Sequence, residues 1–136
     1  MSPMDTILVT YKITIYSLAG LAALAIIQLL VADVIGIISK HVPGTPIVPD
    51  HSDRHFRASR AVANLNESIA VFILLVIFCI FSGASPAYTA IGAWGYVTAR
   101  AVYAALYYLN LQTLRSITFG LSLVFLLSLL ITGLLR

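Results

Sequence analysis

Arg54-His55-Phe56-Arg57-Ala58-Ser59-Arg60-Ala61-Val62-Ala63-Asn64-Leu65-Asn66-Glu67-Ser68 runs without a break into Ile69-Ala70-Val71-Phe72-Ile73-Leu74-Leu75-Val76-Ile77-Phe78-Cys79-Ile80-Phe81. The second half is apolar throughout, as in the middle of a membrane-spanning helix. If the helix continues upstream, Arg57, Arg60, Asn64 and Glu67 are spaced three, four and three residues apart and line one face. Insertion scales charge roughly 2.5 to 3.5 kcal/mol for each ionised residue at mid-helix. Polar groups kept at that cost face a bundle interior or a wet cavity and mark a functional site. The stretch therefore predicts a membrane helix whose opening turns carry a site.

The rest of the chain agrees with a membrane protein. Its 136 residues suit a single domain over 1–136, 60% of them are hydrophobic, and only 10% are charged. A soluble domain carries about a quarter charged residues. The net charge of +3 comes from few residues, with basic ones clustered in the middle of the chain but no basic, aromatic-interleaved soluble surface, so nucleic acid is a poor reading as a partner. The first apolar segment lacks a basic lead and a small-residue cleavage site and reads as a retained anchor. Cys79 is the one cysteine; it sits inside an apolar run and reads as a small packing group.

A bilayer core takes about 20 helical residues to cross. Four segments qualify: about 7–39, 54–82, 88–111 and 114–135. The expected fold is all-α, an integral membrane four-helix bundle. Pro43, Pro46 and Pro49 exclude a helix between the first two spans. Asp50, Ser52 or Asp53 is placed to cap the second, and Ser82-Gly83-Ala84-Ser85-Pro86 forms a tight uncharged turn. Lys40, Arg54, Arg57 and Arg60 flank the first connection and Arg115 the third, whereas the second has no charge. The positive-inside tendency then puts the first and third connections in the cytoplasm and both termini on the other side. A bacterial inner membrane and a eukaryotic endomembrane both fit. Gly20, Gly36 and Gly120 are expected at close helix contacts.

A second anomaly lies in the third span. Arg100, Tyr103 and Tyr107 are three and four residues apart and share a face, with Tyr96 near it. Arg100 lies well inside its apolar segment, and Glu67 is its natural partner. Arg115-Ser116 opens the fourth span on the side of the membrane where Arg57 and Arg60 lie. Asp50, His51, Asp53 and His55 invite a metal reading, but no third strong ligand is fixed, and a solvated, capped helix start is expected instead, with no metal.

These motifs together resemble those of the MAPEG superfamily, the membrane-associated proteins of eicosanoid and glutathione metabolism. Arg57-x-x-Arg60-Ala61-x-x-Asn64-x-x-Glu67 is similar to the family's second-helix signature. Ala99-Arg100-x-x-Tyr103-x-x-x-Tyr107 resembles its third-helix motif, and Leu114-Arg115-Ser116-Ile117-Thr118 resembles the start of its fourth helix. The three occur in the right order, one per helix, over about residues 54–120. The resemblance implies a homotrimer of four-helix bundles, with glutathione bound between subunits near the cytoplasmic face. It also implies a glutathione transferase or peroxidase acting on a lipophilic small-molecule substrate that arrives from the lipid bilayer.

The chemistry of glutathione agrees with these residue types. Its carboxylates want arginine forks, and its ammonium wants a carboxylate or an amide oxygen. Its thiol must ionise to attack. By resemblance and chemistry, Arg115 stabilises the thiolate and Ser116 donates to it, as the catalytic pair. Arg57, Arg60, Asn64, Glu67, Arg100, Tyr103 and Tyr107 form the glutathione site, with Arg100 fixing Glu67.

Two other readings compete. A non-catalytic lipid-binding or scaffold protein on the same fold would have little use for the Arg57/Arg60/Asn64/Glu67 set. A small four-helix transporter would use Asp33 as its coupling carboxylate and leaves the arginines of the later spans unexplained.

Overall fold

The computed structural model describes residues 2–136 and is all-helical over them. Five helices follow in order: α1 (Pro3–Thr10), α2 (Lys12–Ile38), α3 (Arg54–Ser82), α4 (Pro86–Tyr108) and α5 (Gln112–Leu134). The first expected span is thus two helices. The break is a single residue, Tyr11, at φ −102° and ψ 17°, with hydrogen bonds continuing on both sides of it. There the Tyr11 hydroxyl donates to the carbonyl of Ala84, in the turn between α3 and α4. α1 itself opens on a capping box between Ser2 and Asp5, with proline at its first position.

Three helices, α2, α3 and α5, are long and apolar enough to cross a membrane. α4 is the exception among the four expected spans. At about 1.5 Å per residue its 23 residues are long enough to cross. Its apolarity is diluted by Thr89, Tyr96, Arg100, Tyr103 and Tyr107, all of them buried. Such groups turn inward because hydrocarbon offers them no partner.

The helix ends explain the boundaries. Asp53, one of three candidate caps, is the cap of α3; its carboxylate accepts from the amide of His55 at 2.9 Å. Asp50 instead turns the loop before it, accepting from the amide and hydroxyl of Ser52 at 2.8 and 2.6 Å. Those two bonds, the hydroxyl first, hold its carboxyl below the usual carboxylate range. α3 ends where Gly83 takes a left-handed turn at φ 72°, a conformation that favours glycine. α2 and α4 end the same way on Lys40 and Asn110.

Two clusters hold the bundle. The larger lies toward the α3–α4 turn, where Phe72, Val76, Cys79, Tyr96 and Leu129 are fully buried and Leu126 nearly so. Phe72 stacks on Tyr96 at 4.6 Å between ring centroids. The Cys79 thiol donates to the Leu129 carbonyl and packs as expected. The smaller cluster, at the opposite end, contains Ala61, Tyr103 and Tyr107, with Tyr108 and Phe119 against it. Small residues bring the helices close, as membrane packing requires. Of the three glycines expected there, Gly20 faces the Trp94 ring and Gly36 faces His55, whereas Gly120 has open space. Tighter contacts occur at Gly92 under Leu129, Gly95 under Phe125 and Gly133 under Phe78. α2 is clipped on at its Lys12 end, where the Trp94 indole donates to the Ile13 carbonyl at 3.0 Å.

Candidate functional site

A cavity of about 310 Å³ opens beside the smaller cluster, where α3 and α5 begin and α4 ends. Arg60 and Asn64 of α3, Tyr103 and Tyr107 of α4, and Arg115, Ser116 and Phe119 of α5 line it. Six of these seven were expected from the sequence. They meet because each motif sets its residues three or four apart, and the three helices present those faces to one another.

Arg115 lies over the Tyr107 ring, its guanidinium carbon 4.1 Å from the centroid. That contact holds the cation by its face and leaves its edge for hydrogen bonds. Its Nη1 is buried and has no partner. Tyr107 meets Tyr103 edge to face at 5.6 Å, so the two rings and the arginine form one wall. The Ser116 hydroxyl donates to the carbonyl of Gln112, one turn earlier in α5, at 3.1 Å. To reach anything in the cavity it must leave that bond.

Arg100 lies behind the wall rather than on it. It is 1% exposed, and its guanidinium is 4.8 Å from the Tyr103 centroid and 5.8 Å from that of Phe119. Its expected partner was Glu67. The structure gives it Asn64 instead: Nη2 donates to Asn64 Oδ1 at 2.8 Å. The Asn64 amide nitrogen reaches on to Glu67 Oε2 at a long 3.4 Å. The physical reason is position on the helix. Glu67 is exposed, whereas half-buried Asn64 faces α4 and carries no charge to desolvate. Nε and Nη1 of Arg100 remain buried without partners.

Arg57 departs from expectation too. It does not line the cavity; its Nη1 donates to the carbonyls of His51 at 2.6 Å and Ser52 at 2.9 Å. It thereby ties the loop after Pro49 to the first turn of α3. The His51 ring comes to 6.1 Å from Tyr107 and 5.1 Å from Phe56, centroid to centroid. His51 and His55 are separated: His51 precedes α3, and His55 packs against His41 at 4.6 Å.

Phe119 was missed in the sequence, although its signal was available. It lies four residues after Arg115, on the same face of α5. The finished site has two arginines on its lining and no carboxylate. A third arginine lies behind it, and two of the three have buried N–H groups with nothing to bond. Such a set attracts anions and rewards those with planar, two-oxygen groups.

The sequence model of the MAPEG family matches residues 14–135, nearly the whole chain. No curated protein and no solved structure gives a match.

Proposed function

The chain belongs to the MAPEG family, and on that premise we propose that it is a glutathione-dependent membrane transferase or peroxidase. The family includes such enzymes and also non-catalytic members. One observation supports the catalytic reading above the others: Arg115, held by its face on Tyr107, has a buried Nη1 without a partner at a cavity that also presents Arg60, Asn64, Tyr103 and Ser116. A lipid binder has no evident need for that donor.

Arg60 would bind a glutathione carboxylate, with the Asn64 amide and the Tyr103 hydroxyl taking other polar groups of the peptide. Arg100 orients Asn64 from behind and is a positioning residue. Arg57 acts at one remove, through the loop it ties down. Glu67 lies outside the cavity lining, reachable by the ammonium at its rim.

Arg115 would face the sulfur. A free thiol ionises near ~8.5, and lowering that by two units takes about 2.7 kcal/mol of preference for the thiolate. A guanidinium in a partly dry site supplies charge-assisted bonds of that order. The thiol proton leaves to solvent, and the thiolate attacks an electrophilic carbon, displacing its leaving group; with a hydroperoxide it attacks oxygen, the O–O bond breaks, the alcohol leaves, and a second glutathione converts the resulting sulfenic acid to the disulfide and water. The lipophilic partner reaches the sulfur from the bilayer. In this reading the chain is one unit, all four long helices cross, and three copies assemble. The loop ends of the helices face the cytoplasm.

The test is the ultraviolet absorbance of thiolate when glutathione is added to the purified protein near neutral pH. A saturable signal is expected, lost in Arg115→Ala while calorimetry still detects glutathione binding. Full turnover in Arg115→Ala would remove that residue from the chemistry. Absence of both signal and binding in the unmodified protein would favour the non-catalytic reading.

A further inference from the structure

A second depression, of about 490 Å³, lies at the same end of the bundle and shares no lining residue with the first. Val31 and Ile35 of α2, Arg54 and Arg57 of α3, and Tyr108 and Leu109 at the end of α4 line it.

Its two ends differ chemically. Arg54 is the first residue of α3 and is exposed. Arg57 lies one turn further in. A guanidinium has five N–H donors, and Nη1 of Arg57 spends its own on the two loop carbonyls. Nη2 remains, and Nε is buried without a partner, as is the hydroxyl of Tyr108. The opposite end is aliphatic. Val31 and Ile35 precede Ile38, the last residue of α2, by seven and three positions. At ~1.5 Å per residue that is roughly 10 and 5 Å into the span. The groove thus runs from two cations at the helix ends to apolar side chains inside a helix long and apolar enough to cross a membrane.

Few occupants match both ends. Water leaves the aliphatic end wetted, and Asp50, the carboxylate that acts on Arg57, is itself held by Ser52. A small free anion answers the arginines but leaves the aliphatic end empty. A zwitterionic lipid fills the aliphatic end but brings its own cation to the arginines. We propose that the groove binds one anionic phospholipid, its phosphate between Arg54 and Arg57 and the start of an acyl chain along Val31 and Ile35. This site is independent of the glutathione reading and stands or falls without it.

Native mass spectrometry of the full chain in detergent tests it, titrating phosphatidylglycerol against phosphatidylcholine with the same acyl chains. A basic residue near the surface favours an anionic lipid roughly fivefold, so two give a preference of about 30-fold. Arg54→Gln is expected to reduce that preference to about fivefold. Ile35→Trp, which fills the aliphatic end, is expected to weaken phosphatidylglycerol binding while leaving the arginines in place. Equal binding of the two lipids overturns the proposal, as does an unchanged preference in Arg54→Gln. Displacement of phosphatidylglycerol by millimolar inorganic phosphate, with Ile35→Trp silent, also overturns it in favour of a free-anion site.

Discussion

Toward the α3–α4 turn, Phe72, Val76, Cys79 and Leu129 fill the space among α3, α4 and α5. Toward the loops, the same three helices meet through Ala61, Tyr103 and Tyr107 and leave a cavity of about 310 Å³ between them. Lipid tails are as apolar as leucine, so helices in a membrane gain little from hiding apolar surface and adhere by close packing and hydrogen bonds. One half of this bundle relies on the first, with phenylalanine rings seated on glycines. The other relies on the second, with Arg100, Asn64 and the tyrosines, and keeps room for a ligand. The division places tight packing in one half and the open, arginine-lined cavity in the other.

The largest test of that division is Phe72→Ala. Phenylalanine truncations in packed cores cost about 3–5 kcal/mol, and Phe72 is fully buried on Tyr96. Unfolding in mixed micelles, followed by helicity, should show that loss, with a much smaller one for Phe119→Ala at the cavity wall. Equal losses would break the comparison. Next in size is Arg60→Gln at the other end. A charged hydrogen bond is worth about 1.5–3 kcal/mol, so glutathione affinity by calorimetry should fall about 10- to 150-fold. Its unfolding should stay within ~0.5 kcal/mol of the parent, as for other exposed positions. An Arg60→Gln protein that binds as before but unfolds early would assign the residue to stability.

The smallest effect is expected of Arg57→Lys. Lysine keeps the charge but loses the planar, rigidly held Nη1 whose hydrogens reach the two carbonyls. The lost bond is worth about 0.5–1.5 kcal/mol. Amide exchange should rise in the loop around His51 and Ser52 and stay unchanged around Phe72. Uniform exchange across both regions would mean that the loop is held by something other than Arg57.

The helices and most of the site were legible because both follow from periodicity. Arg60, Asn64, Tyr103, Tyr107, Arg115 and Ser116 sit on helical faces at fixed spacings, and their motifs resemble one family, so their meeting could be expected. Arg57 shows where this stops. Its partners are carbonyls of a loop shaped by Pro43, Pro46 and Pro49, and no periodicity describes such a loop. The bond of the Tyr11 hydroxyl was hidden for a similar reason, since its partner is a carbonyl 73 residues away. The choice of Asn64 over Glu67 depends on which of two neighbouring positions faces α4. A shift of about 100° per residue decides that, and a polar stripe three or four residues wide does not resolve it.

The clip between Trp94 and Ile13 has a consequence for how the protein is made. The two residues are 81 positions apart. At about 5–20 residues per second, the ribosome needs roughly 4–16 s to deliver the second after the first. Through that interval α2 waits in the bilayer without α4, with only α3 made beside it. Its Thr14, Ser17 and Gln28, buried in the finished bundle, then face lipid or the insertion machinery. The apolarity of α2 therefore serves biogenesis as well as the final structure: it must hold its place before α4 arrives.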